Sequence, residues 1–338
     1  MCSDEANAPA DAKRVQILDR DWFTATLDGE PEAPLRAHPI GPETPIRIVR
    51  GSGTTGSTKW MIHTGRIREF RINQYAFHAG FNQASRFLMT LNFGMQSFYA
   101  YLTACLRMGG VCINDPENDT AGALAKHAVT HVTMLPHMLN SVLDGLPDGY
   151  DKPENLIIFT NGASISKPVR DRVKQSLAND LVDCYGTNEI GPVSITGEDG
   201  VGTVLPGVRI QTVDDNDEPV IGTPGRLRIM SEGSVGGYQD DPEATRAMFR
   251  DGWFYPGDLA TIRDERRFEL IGRADDLLNI RGIKISPQKI EEKLLRELPV
   301  TDICLTALAD DSGMEQIWVV VEPDEKALVS AIQKMLVP

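Results

Sequence analysis

Residues 131–162 read HVTMLPHMLNSVLDGLPDGYDKPENLIIFTNG, and their order decides the fold. HVTMLP (131–136) and LIIFTNG (156–162) are short apolar runs that read as strands. Between them, 137–144 predicts a helix. Strand, helix, strand is the unit of a parallel sheet with helices packed on it. The pattern extends both ways. VCIN (111–114) is a strand and 121–128 a helix before it; 168–178 is a helix and LVDCYG (181–186) a strand after it. In such sheets ligands sit beyond the carboxyl ends of strands. NGAS (161–164) and YGTNE (185–189) are therefore candidate site segments on topology alone.

The flanks have a different texture. Residues 1–45 are rich in Ala, Asp, Glu and Pro and read as a loosely ordered lead-in. IRIVR (46–50) is a short strand, and Tyr75 to Met108 reads as mostly helical and apolar. Residues 200–271 carry many glycines and prolines around short runs such as VRIQTVD (208–214) and GRLRIMS (225–231), which predicts antiparallel β structure. PEATRAMF (242–249) is a short helix with Pro242 in its first turn. Beyond Arg273, a helix at 287–298, strands ICLTALA (303–309) and IWVVVEP (317–323) and a helix at 325–336 make a small α+β unit.

Composition sets bounds. A chain of 338 residues implies about two domains. With 41% hydrophobic and 24% charged residues it is ordinary for a globular protein. A net charge of −14 disfavours nucleic acid and anionic membranes as partners, but leaves a small polyanion open. Five cysteines form no CxxC pair, and most sit among apolar residues, so they read as buried thiols in a reducing, cytoplasmic setting. No secretory signal is visible, and no apolar run approaches the ~18 residues of a membrane span. The six histidines lack paired spacing, so a histidine-based metal site is not expected.

RGSGTTGSTK (50–59) has the ingredients of a phosphate loop. Gly51 and Gly56 have Walker spacing, but Ser57 stands where that motif needs lysine, and Trp60 follows Lys59. What remains is a Ser/Thr/Gly loop ending in a cation. Small residues permit close backbone approach to an anion. The other reading is a solvated turn.

Together these segments resemble the AMP-forming adenylating enzymes: acyl- and aryl-CoA synthetases, peptide-synthetase adenylation domains and luciferases. SGTTGSTK (52–59) looks like the family's phosphate loop, with Thr58 in place of proline. NGAS, YGTNEIG (185–191), PGDL (256–259) and GRADDLLNIRGIKISPQKIE (272–291) look like its later motifs. The resemblance runs from about Ile48 to the C-terminus, and five motifs in order are more specific than any one.

The resemblance implies an α/β large domain at 46–273, N-terminally short, with an antiparallel β subdomain, and a small mobile C-terminal domain at 274–338, incomplete. It implies joining a carboxylate to ATP, release of pyrophosphate, and transfer of the acyl group to CoA or a carrier-protein phosphopantetheine thiol. Catalytic roles fall to Lys59, Asn188 and Glu189, the last also holding Mg²⁺. Nucleotide contacts fall to Ser52, Gly53, Thr54, Thr55, Gly56, Ser57 and Thr58 around the pyrophosphate, and to Gly162, Ala163, Ser164, Tyr185, Gly186 and Thr187 near adenine and acyl group. Asp258 would accept the ribose hydroxyls and Arg273 would contact ribose or phosphate. Asp275 would be the hinge, with Gly282 and Lys284 on the thiol-transfer loop. Phe93, Phe98, Met134 and Leu135 would line the acyl pocket, favouring an apolar or aromatic acid.

Three departures qualify this. Asn188 replaces a threonine that contacts the α-phosphate in the family. Few residues precede the phosphate loop, which predicts apolar surface for a homodimer or another chain to cover. At the C-terminal end, neither Lys326 nor Lys334 has the context of the family's catalytic lysine. The alternatives are therefore a compact ligase, a non-catalytic nucleotide or acyl-adenylate binding module, and a subunit completed by a partner.

Overall fold

The 131–162 stretch forms the expected crossover, and neighbouring strands build on it. The computed structural model describes residues 41–51, 58–90, 94–115, 119–162, 165, 167–280, 283–298, 302–309, 315–322, 328–329 and 332. The lead-in up to residue 40, Ser52 to Ser57, Phe93, Ala163, Ser164, Gly282, Lys326 and Lys334 lie outside the described residues.

β1 (Pro45–Gly51) and β2 (Lys59–Thr64) pair as an antiparallel hairpin across the glycine loop. Alternation puts the pairs Arg47–His63, Val49–Met61 and Gly51–Lys59 on one face. α1 (Gly65–Ala79) starts at Thr64, whose hydroxyl accepts from the Ile67 N–H, and stops at Gly80, where φ is 67°.

The parallel half contains β3 (Arg86–Met89), α2 (Gln96–Arg107), β4 (Val111–Asn114), α3 (Thr120–Lys126), β5 (His131–Met134), α4 (Pro136–Asp144), β6 (Ile157–Asn161), α5 (Lys167–Ser176) and β7 (Asp180–Thr187). Its strands lie in the order β4-β3-β5-β6-β7, all parallel. The mostly helical reading of Tyr75 to Met108 needs correction: Arg86–Met89 is a strand inside the sheet, between β4 and β5. Four residues are too few for periodicity to register. Pairing on both edges selects the extended form.

Period-two alternation sends neighbours to opposite faces. Leu88 and Ile158 join Leu139, Val173 and Leu177 in one core; Phe87 and Phe159 join Ile72, Tyr75 and Tyr101 in another. Helices thus cover both faces, and each such buried side chain contributes about 1.5–3 kcal/mol. Phe77 near the end of α1 and Val111 on the outermost strand β4 are exposed.

The antiparallel half continues the same sheet. β8 (Gly191–Thr196) turns back on β7, followed by β9 (Val201–Val204), β10 (Val208–Val213), β11 (Pro219–Val220), β12 (Gly225–Ser231), α6 (Pro242–Met248), β13 (Phe249–Arg250), β14 (Trp253–Phe254), β15 (Asp258–Ile262) and β16 (Arg267–Arg273). From β7 the order is β8-β9-β16-β15-β12-β10-β11. Then come the ribbon β17 (Leu278–Ile280) and β18 (Ile283–Ile285), α7 (Pro287–Glu297), and the pair β19 (Asp302–Ala309) and β20 (Glu315–Glu322). Lys289 on α7 reaches Glu269 on β16 at 2.5 Å, and the Ser286 hydroxyl donates to the Ile271 carbonyl at 2.7 Å.

Candidate functional site

YGTNEIG becomes the tight turn between the last parallel strand and the first antiparallel one. The local reason is steric. A Cβ at Gly186 would lie 2.5 Å from the Gly191 carbonyl oxygen, and Gly191 itself has φ of 90°. Thr187 braces the turn by accepting from the Ile190 N–H at 3.2 Å. The Asn188 side-chain amide makes a long contact, 3.5 Å, to the Arg50 carbonyl.

Asp258 and Arg273 are directly opposed on β15 and β16. Their nearest atoms are 3.5 Å apart, and the Asp258 side chain is only 13% exposed. The partly buried Tyr185 hydroxyl donates to the same carboxylate. Burial pushes the Asp258 carboxyl upward, opposed by the Tyr185 hydrogen bond and the Arg273 charge. Burial beside that carboxylate also raises the Tyr185 phenol, so it stays a donor. Arg273 is held in turn: Nη1 donates to the Pro256 carbonyl at 3.1 Å. PGDL and GRADD, remote in sequence, meet because two strands pair.

The second focus is Glu189. Its Oε1 accepts from the Tyr238 hydroxyl at 2.9 Å, and Lys59 Nζ lies 4.9 Å from the centre of the Tyr238 ring. A Cβ at Gly51 would come within 3.9 Å of the same Oε1. The described ends of the glycine loop therefore abut the motif glutamate. Tyr238 escaped sequence reading, because one tyrosine in GYQDDPEATRAMF carries no spacing signal.

Arg71 also escaped it. This guanidinium is 1% exposed. Nη1 donates to the Asn188 carbonyl at 2.9 Å, Nη2 to those of Glu189 at 2.8 Å and Gly233 at 2.7 Å, and Nε to Gly233 at 2.9 Å. Nη1 also meets His63 Nε2 at 3.3 Å. Burial lowers the Arg71 pKa to about 10. Burial, then the charges of Arg71 and Arg47, push His63 down to about 3, so its ring is neutral and can accept. A charged residue on an otherwise ordinary helix gives no sequence sign of such burial.

Gly162 closes β6 with φ of 94°. Asp275 is exposed, with its carboxylate 3.8 Å from Arg273, and Lys284 sits in β18 opposite Asn279. Met134 is fully buried in the core with Leu88 and Leu139, Phe98 is buried on α2, and Leu135 caps α4. Thr58 is exposed just before β2.

Among the described residues no three His, Cys, Asp or Glu side chains form a metal cage. Mg²⁺ held by one carboxylate plus phosphate oxygens needs none. Glu189 fits that role, since a carboxylate accepting one hydrogen bond keeps further acceptor sites. Among the described residues no helix is long and apolar enough to cross a membrane.

The profile of the family described as AMP-binding enzyme matches residues 2–239, more than half of the 338. The chain is 29% identical over 323 residues to the PKS-NRPS hybrid synthetase ATPKS of Aspergillus niger, covering 87% of this chain and 16% of that one. It is 25% identical over 300 residues to 4-coumarate–CoA ligase 1 of Solanum tuberosum, covering 82% of this chain and 55% of the ligase. The chain thus spans little more than half the length of that ligase. O-succinylbenzoate coenzyme A synthetase (MenE) from Bacillus subtilis, in complex with AMP, has a similar fold. Its TM-score is 0.79 at 20% identity, covering 96% of this chain and 69% of that one. ATP-bound MatB from Rhodopseudomonas palustris gives 0.76 at 19% identity, covering 88% and 63%. The chain belongs to the AMP-binding enzyme family, and its fold is that of adenylate-forming enzymes.

Proposed function

We propose that this chain activates a carboxylic acid with ATP and passes the acyl group to a thiol, of CoA or of a carrier-protein phosphopantetheine. A carboxylate oxygen attacks the α-phosphorus, the bond to the bridging oxygen breaks, and pyrophosphate leaves. The thiol then displaces AMP from the acyl-adenylate, losing its proton and forming a thioester. The observation that carries this reading is the largely buried Asp258 carboxylate, fixed by Tyr185 and Arg273. One carboxylate with two oxygens suits a ribose diol.

The chain's residues divide the work. Asp258 and Arg273 bind the nucleotide sugar, and Gly162, Ala163, Ser164, Gly186 and Thr187 frame its base and the acyl group. Lys59 and the loop 52–58 face the polyphosphate. Such transfer between anions depends on alignment and charge neutralisation. Glu189 would hold Mg²⁺, which when bound supplies positive charge against the phosphates. Arg71 fixes the backbone of Asn188 and Glu189, so their side chains start from one position. Asp275 is the hinge of a small mobile unit at 274–338, with Gly282 and Lys284 on the thiol-transfer loop. The acid is apolar or aromatic, with Phe93, Phe98, Met134 and Leu135 near it.

A second reading, nucleotide binding without turnover, is favoured by Asn188, whose amide contacts the Arg50 carbonyl instead of standing free. Pyrophosphate release with ATP, Mg²⁺ and a panel of carboxylates separates the two. Release with any acid supports adenylation. ATP binding with no release across the panel supports the second reading, and no ATP binding defeats both.

A further inference from the structure

A narrow pocket with room for about one oxygen-sized group opens to solvent between β1, β2, α1 and α2, lined by Arg47, His63, Arg68, Arg71, Gln96 and Tyr99 among others. None of its described lining residues is acidic. The Arg47 guanidinium lies 3.8 Å from the centre of the Tyr99 ring, and that of Arg68 lies 5.9 Å away. Two cations thus flank one aromatic ring. Glu69, beside Arg68 in sequence, is committed to Arg107 at 2.6 Å. Arg71 contributes charge but no directed donor, since its nitrogens serve three carbonyls and His63.

Two polar atoms lack a counterpart there. Arg68 Nε and Gln96 Oε1 are buried without a hydrogen-bond partner among the described residues, and Gln96 is only 8% exposed. Buried polar groups are normally paired, so an orphan donor points to a missing acceptor. A half-turn of the Gln96 amide presents N–H in place of oxygen. Both atoms would then donate to one acceptor.

The geometry points to an oxyanion site in this cavity, with Arg68 Nε and the Gln96 amide as directed donors and the neighbouring guanidinium charges as counter-charge. Its ligand is a carboxylate or a phosphoryl group, and the same donors suit either. The site is separate from the phosphate-loop end of the hairpin. The Arg47–His63 pair lies four residues along the same face from Gly51–Lys59. At ~3.3 Å per residue that is about 13 Å. The inference rests on these side chains and stands whether or not the chain forms adenylates.

Inorganic phosphate and succinate are titrated separately into the full chain by calorimetry at low ionic strength, with and without saturating ATP. One or both are expected to bind once per chain with ATP present. Arg68→Gln is expected to weaken that binding at least ~10-fold and Gln96→Leu at least ~3-fold, since charge-assisted bonds are lost. Both variants are checked for an unchanged circular dichroism spectrum. Phosphate alone binding identifies a phosphoryl ligand; succinate alone identifies a carboxylate; both identify an unselective oxyanion site. Failure of both probes to bind, loss of binding when ATP is added, or equal affinity in wild type and both variants would overturn the proposal. Pyrophosphate release is read separately, so this outcome and that of the adenylation reading are distinguishable.

Discussion

Arg71 Nη2 donates to the main-chain carbonyl of Glu189 at 2.8 Å, joining a buried cation on α1 to the turn that carries the motif glutamate. The same side chain holds Asn188 and Gly233. Arg71→Met takes a donor from three carbonyls; that of Glu189 keeps the Val235 N–H at 2.9 Å, and each buried orphan among the other two costs about 1–3 kcal/mol. Urea unfolding should show a loss of about 2 kcal/mol or more. Arg71→Lys retains charge but not the fork. If the positioning role holds, it raises the Mg²⁺ concentration needed for half-maximal pyrophosphate release while melting stays near wild type. An unchanged Mg²⁺ dependence would reduce Arg71 to a structural residue.

Asp258→Asn keeps the shape of the side chain and removes its charge. Tyr185 and Arg273 then face a neutral amide, and hydrogen bonds to charged groups are worth about 1.5–3 kcal/mol. AMP affinity, measured by calorimetry, is expected to fall about 10- to 100-fold. Wild-type affinity in this variant would remove Asp258 from the nucleotide site.

Tyr238→Phe deletes the hydroxyl that Glu189 accepts but keeps the ring beneath Lys59. Losing one such bond costs about 0.5–1.5 kcal/mol, so the KM for MgATP should rise ~3- to 10-fold. Tyr238→Leu removes the ring as well and is expected to do more. Equal effects of the two would show that the hydroxyl alone matters.

Acid should destabilise the chain through buried imidazoles. Burial lowers His63 to about 3 and His78 to about 4, against 6.5 for a free ring. Between those values the unfolded chain binds more protons than the folded one. The neutral rings' contribution is therefore complete above pH 6.5 and is lost as pH falls toward 4 and then 3. Each ring should account for about 1.4 kcal/mol of the loss between pH 7.5 and 5.5. Urea titrations at both pH values test this. Replacing either histidine by glutamine should remove its share of the slope; a slope unchanged in both variants would acquit the imidazoles.

Gly186→Ala would drive a methyl to within 2.5 Å of the Gly191 carbonyl. Overpacking of this kind costs about 1–3 kcal/mol. Thermal melting should register the loss, and AMP binding should weaken with it because Tyr185 and Thr187 flank the distorted residue. A variant that melts and binds like wild type would contradict the close approach.

Local chemistry made much of this protein legible in one dimension. Apolar runs between turn residues identified the crossover at 131–162 and the strand Gly225–Ser231, because burial on a sheet demands that composition. Proline marked the first turn of the helix at Pro242, since the ring fixes φ where a helix begins. The ordered motifs named the family, whose profile matches residues 2–239. The tertiary structure decided what no local pattern encodes. Arg86–Met89 became a strand only because two neighbours pair with it. Asp258 met Arg273 through antiparallel register, Tyr238 came to Glu189 from 49 residues away, and Arg71 reached Asn188 from 117. Sequence fixes side-chain chemistry and short-range conformation. Which distant carbonyl a guanidinium meets, and which charges are taken from water together, depends on how the sheet folds upon itself.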